Sequence, residues 1–189
     1  MELSDTPSGR FRTPVERGTP RMHESQTVDA PSEDVTGAPL PRPPLSIEDV
    51  SLATWFAATQ LSVSPEQTAH FSAPVVYWLA ESRFETHFRP MVISRADELI
   101  GFLVYGVDPD DGEYWLITFM IDHRFQGRGL GRRALEAFLA HFDDEHPGAR
   151  LTLGHHPDNH VAARLYASAG FAPTGELIGG EVIRVRPPA

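Results

Sequence analysis

Between Asp122 and Arg133 the chain reads DHRFQGRGLGRR: Gly127, Gly129 and Gly131 stand at every second position, among Arg124, Arg128, Arg132 and Arg133. Glycine in a loop costs backbone entropy on folding, so a run of glycines marks a place where something comes close to the main chain. An apolar helical pattern follows at once, with Leu130, Ala134, Leu135, Phe138 and Leu139 on one side. A helix start leaves N–H groups unpaired and carries roughly half a positive charge. Glycines there let an anion reach the backbone, and the arginines add charge. An apolar strand, a glycine loop and a helix N-terminus in that order make a cradle for a phosphate.

Two common phosphate sites are weakened by the residues themselves. A nucleotide P-loop requires a lysine, and all 16 Lys+Arg residues of this chain are arginine. A dinucleotide loop needs a third glycine where Arg132 stands, and no strand–helix–strand unit leads the chain. The absence of cysteine rules out group transfer through an acyl-cysteine. A formal net charge of −10 argues against nonspecific nucleic-acid binding and suits cationic partners. No apolar run approaches the roughly 20 residues that span a membrane, and MELSDTPSGRFRTP has no secretory signal pattern. A cytoplasmic protein without a membrane partner is therefore expected.

The elements that must position the loop can be read along the chain. Its 189 residues, 41% hydrophobic, suit one ordinary domain. Residues 1–44 hold eight of the 17 prolines and read as a flexible proline-rich tail, with residues 45–189 as the folded domain. In SIEDVSLATWFAATQ, Ser46 and Asp49 suggest a helix start, with a stripe at Ile47, Val50, Leu52 and Trp55. Ser64, Pro65 and Gln67 open a second helix, and Pro74 a third. RPMVISR and LIGFLVYGV read as strands joined at Ala96-Asp97-Glu98. DPDDG turns into EYWLITFMID, an almost unbroken apolar strand expected to be buried on both faces. A helix over 130–142, the strand ARLTLGH, a helix from PDNHVAARLYASAG ended by Gly170, and the strands FAPTGEL and EVIRVR complete the order. The class is a mixed α/β (α+β) domain.

Gln126-Gly127-Arg128-Gly129-Leu130-Gly131 resembles the acetyl-coenzyme A signature Q/R-x-x-G-x-G/A of the GNAT N-acetyltransferase superfamily. Asn159 to Phe171, NHVAARLYASAGF, looks like that superfamily's N-x-x-A-x-x-L-Y-x-x-x-G-F, and the two blocks have its order and spacing. YWLITFMIDHRFQGRGLG and FAPTGELIGGEVIRV look like its diamine and polyamine acetyltransferase branch, except that Thr118 stands where that branch often has arginine. The resemblance covers roughly residues 46–186.

The resemblance implies a GNAT-like mixed central sheet, mainly antiparallel and flanked by helices, with a splayed strand pair that holds acetyl-CoA. It implies acetyl transfer to a primary amine of a small cationic acceptor, by direct attack on the thioester. The N–H groups of residues 126–132 (Gln126, Gly127, Arg128, Gly129, Leu130, Gly131, Arg132) would hold the pyrophosphate. Met120 and Ile121 would pair with the pantetheine arm, Asn159 would bond it, and Tyr166 would protonate the departing thiolate. The general base stays open among Glu113, His155, His156 and a chain of waters. His155, His156 and His160 lack a third ligand at fixed spacing and a cysteine, so no metal is expected. Rival readings are a protein N-terminal acetyltransferase, a non-catalytic acetyl-CoA-binding module, and an interaction protein working through its proline-rich tail. A homodimer paired through the late strands is an expectation by analogy with the fold alone.

Overall fold

The computed structural model describes residues 43–71, 73–109 and 111–189, so nearly all of the proline-rich stretch lies outside the described residues. Seven strands form one sheet in the order β1-β2-β3-β4-β5-β7-β6. They are β1 (Leu45–Asp49), β2 (Phe88–Arg95), β3 (Glu98–Val107), β4 (Tyr114–Ile121), β5 (Leu151–His155), β6 (Ala172–Ile178) and β7 (Glu181–Arg186). All neighbours are antiparallel except β4 and β5, which run parallel. A parallel pair needs a long crossover, and helix α3 (Leu130–Glu145) supplies it.

Side chains of β2 and β3 alternate between two cores, as the period of a pleated strand requires. Met91, Ile93, Leu103 and Tyr105 join Leu135, Phe138 and Phe142 of α3, together with Tyr166 of helix α4 (His160–Ser168). Val92, Phe102 and Val104 join Ala58 and Val75, which come from the short helices α1 (Trp55–Ala58) and α2 (Val75–Glu81).

The segment around Ser46 is not a helix. Leu45–Asp49 is the edge strand β1, paired antiparallel with β2 from Leu45↔Arg95 to Asp49↔Met91. Alternate residues Leu45 and Ile47 pack onto the core that α3 covers. Asp49 caps nothing; it takes the forked Arg89 guanidinium at 3.0 Å on each carboxylate oxygen. Arg89 also donates to the Tyr105 hydroxyl at 2.7 Å and to Glu145, so one side chain ties β1, β2, β3 and α3 together. Leu52 and Trp55, expected on the same apolar stripe, are exposed. Gln67 does close onto Ser64, accepting its N–H at 3.4 Å, but over a 3-10 helix (Pro65–His70) rather than an α-helix.

Strand β4 departs from its expected burial, and the reason shapes the site. It pairs with β5 only over Tyr114↔Leu151, Trp115↔Thr152 and Leu116↔Leu153. Against β3 the register jumps from Tyr105↔Leu116 to Val104↔Thr118, which leaves Ile117 as an extra residue. A bulge bends its strand and increases the local twist. From Ile117 onward β4 therefore parts from β5, and Ile117 and Phe119 are only half-buried.

A candidate active site where two parallel strands part

The gap between β4 and β5 opens into a cleft of about 360 Å³. Its walls take in residues 116–121 of β4, the glycine loop, Gly154, His155, His156, the start of α4 and Glu181. Of the residues singled out from the sequence, Met120, Ile121, Gln126, Gly127, Gly129, Leu130, Gly131, Arg132, Asn159 and Tyr166 all meet there, and Thr118 joins them. Arg128 does not; it is exposed outside the lining.

Gly127 and Gly129 have φ of +73° and +72°, a backbone state that side-chain-bearing residues seldom adopt. A Cβ on either would meet nothing within 4 Å, so the space over this backbone is open. Gly129 is the residue before the first turn of α3, whose first N–H groups have no partner within the helix. Gly131 differs: a Cβ there would meet Ile121 at 3.8 Å and Leu165 at 4.0 Å, between β4 and α4. The loop fits a phosphate-bearing ligand that needs close backbone approach.

The nearby arginines are mostly engaged. Arg124 donates from Nε to Asp122 at 2.7 Å, Arg132 to Glu136 at 3.0 Å, and Arg133 to the Pro43 carbonyl at 2.7 Å. Gln126 braces the loop, its amide donating to the Ile121 carbonyl at 2.7 Å and to Gln67 at 2.8 Å. Asp122, which sequence pattern does not mark as a site residue, is fully buried. Its carboxylate accepts the N–H of Ser62 at 2.9 Å and that of Arg124 at 3.0 Å. Burial raises its pKa, but the hydrogen bonds from Arg124 and Ser62 outweigh this and leave it below the ordinary aspartate value. Only its place at the end of an apolar strand hints at such a role.

Tyr166 lies one helical turn past Ala162 on α4, with 8% of its surface accessible. Burial, then the charge of Glu181, push its hydroxyl above the ordinary tyrosine value, so it stays protonated at neutral pH. Asn159 caps α4 by accepting the Ala162 N–H at 3.0 Å, which leaves its amide nitrogen for another partner.

Two candidate bases are committed elsewhere. Glu113 grips Arg150 through two bonds of 2.7 Å and does not line the cleft. His155 accepts the Arg184 Nε–H on Nε2 at 2.9 Å and, as arginine is only a donor, gives its Nδ1–H to the His156 carbonyl at 2.9 Å. Neither nitrogen keeps a free lone pair. Among the described residues no group of three His, Asp or Glu side chains is placed to hold a metal ion, and no helix is long and apolar enough to cross a membrane.

A model of the acetyltransferase (GNAT) family matches residues 51–171, nearly two thirds of the chain. The chain belongs to the GNAT family. Among its relatives, the spermine/spermidine N(1)-acetyltransferase of Bacillus subtilis strain 168 is 32% identical over 137 residues, 69% of this chain and 90% of that protein. An acetyltransferase structure from Thermus thermophilus superposes with a TM-score of 0.60 at 25% identity, covering 76% of this chain and 97% of that one. The ribosomal-protein-S18-alanine N-acetyltransferase of Escherichia coli shares the fold, with a TM-score of 0.55 at 20% identity over 77% and 94% of the two chains. This GNAT protein is thus an acetyl-CoA-dependent N-acetyltransferase, and its splayed β4–β5 pair agrees with the expected fold.

Proposed function

We propose that this enzyme moves the acetyl group of acetyl-CoA to a primary amine of a small cationic acceptor, by direct attack in a ternary complex. The observation that carries this reading is the protonated Tyr166 hydroxyl on the wall of the cleft where β4 and β5 part. The relative that acts on spermine and spermidine, by its name, and the net charge of −10 support the cationic acceptor.

Acetyl-CoA supplies an activated acyl thioester. The N–H groups of residues 126–132 hold its pyrophosphate, helped by the α3 dipole. The open edge of β4 at Met120 and Ile121 takes the pantetheine arm, and the Asn159 amide nitrogen bonds it from α4. As the amine adds and the C–S bond breaks, charge gathers on sulfur, whose thiol pKa is about 8.5. Tyr166 donates to that sulfur. His155 is pinned and Glu113 is remote, which leaves His156 on the cleft wall, or water, to take the ammonium proton.

The test is free-thiol release from acetyl-CoA with spermidine, spermine, putrescine, aminoglycosides, amino acids and short peptides. Turnover on a small amine is expected, with Tyr166→Phe lowering kcat about 100-fold and changing the acetyl-CoA KM little. Turnover on peptides alone would move the assignment to a protein N-terminal acetyltransferase. Heat protection by CoA with no thiol release on any amine would make it a binding module.

A further inference from the structure

We infer that Glu181 receives the acceptor's ammonium group, and that the cleft reads one positive charge on its acceptor rather than two. This rests on the acetyl transfer proposed above and names what selects the amine.

Glu181 is the one carboxylate among the described residues that line the cleft. Its place is set by a two-residue turn: Ile178 pairs with Glu181 across Gly179 and Gly180, whose φ values are +58° and +86°. Two positive φ values in a two-residue hairpin match the right-handed twist of the strands, and glycine adopts them without strain. The side chain then lies back over β5. A Cβ added to Gly154 would collide with the Glu181 carboxylate and stand 3.3 Å from its Cβ. Gly154 is therefore a seat: its missing side chain leaves room for the carboxylate of Glu181, an exposed residue, at the wall of the cleft.

Among the described residues nothing takes up that charge: no ion pair or hydrogen bond reaches the Glu181 carboxylate. The nearest strand cation, Arg184, is turned onto His155 and the Phe171 carbonyl. Glu181 shares the cleft wall with Tyr166, and its charge acts on that hydroxyl. Pairing with a cation also cancels the part of the Tyr166 shift that Glu181 causes, which strengthens Tyr166 as a donor once the acceptor is in place. The wall toward the 3-10 helix holds Val63 and Phe71, and β4 adds Ile117 and Phe119; these suit a hydrocarbon chain and offer no second charge.

The experiment compares steady-state kinetics of a linear monoamine and a diamine of equal chain length, for wild type, Glu181→Gln and Gly154→Ala. Wild type should use both amines within about tenfold in kcat/KM. Glu181→Gln should raise the KM of each amine about tenfold or more, as expected for loss of a charge-assisted contact. The acetyl-CoA KM should hold. Raising the salt concentration should raise the wild-type amine KM and leave that of Glu181→Gln flat. Gly154→Ala, which keeps the charge but moves it, should show the same amine-specific loss while CoA still protects it against heat. An unchanged amine KM in Glu181→Gln, or a diamine preference well above tenfold, would overturn the inference and leave acetyl transfer standing. A wild-type enzyme that acetylates no amine would instead overturn the acetyl transfer on which it rests.

Discussion

At the scale of single residues, hydrogen-bond inventory separates the groups that can do chemistry from those that only look suited to it. His155 faces the cleft with the right residue type for a base, yet both ring nitrogens are bound by groups whose donor or acceptor role is fixed. His155→Ala should lower stability by about 1–3 kcal/mol, because it strands the Arg184 donor in a part-buried setting. It should leave the ascending limb of the pH–rate profile in place; a lost limb would restore His155 as the base. Tyr166 is the reverse case. Its pKa is raised, so its active protonated form persists to higher pH than an ordinary tyrosine would allow. The wild-type rate should therefore show no falling tyrosine limb below about pH 10, the unperturbed value.

At the scale of elements, the geometry of the acetyl-CoA site depends on a few backbone states. Gly129 is left-handed at the mouth of α3, with open space above it. Gly129→Ala should cost about 1–2 kcal/mol of stability through backbone strain alone. It should also raise the acetyl-CoA KM severalfold, since the new methyl projects where the ligand's anion would lie; an unchanged KM would move the pyrophosphate elsewhere. The bulge at Ile117 and the early end of the β4–β5 ladder work together, the first bending β4 and the second leaving its edge unpaired.

At the scale of the whole molecule, Asp122 holds two regions of the cleft in one arrangement. It joins Ser62, just before the 3-10 helix that lines one wall, to the end of β4 and the start of the glycine loop. Because its folded pKa lies below the unfolded value near 3.8, its contribution to stability is present above that value and is lost as pH falls through the folded one. Melting temperature measured from pH 7 down to pH 2 should show this. Asp122→Asn should melt lower at pH 7, by the equivalent of about 1–3 kcal/mol, and should lose less on acidification than wild type. Parallel acid profiles for the two proteins would mean that Asp122 contributes no such term.

The sequence by itself determined the pieces whose causes are local. The glycine loop, the apolar stripe of α3 and the Asn159 cap follow from backbone preference, helical period and capping chemistry within a few residues. The two glycine and asparagine blocks also carried the family. Tertiary structure decided what depends on partners far along the chain. Ser46–Asp49 has a credible helix start, but the open edge of β2, the apolar face of α3 and Arg89 draw it into a strand. Strand β4 reads as buried on both faces because nothing in its own residues shows that β5 leaves it after Leu116. Nothing in the sequence shows that the exposed Glu181 folds back over Gly154 onto the wall of the cleft. Charge and hydrogen-bond partners act through space over a few ångströms, whereas sequence patterns report on neighbours along the chain.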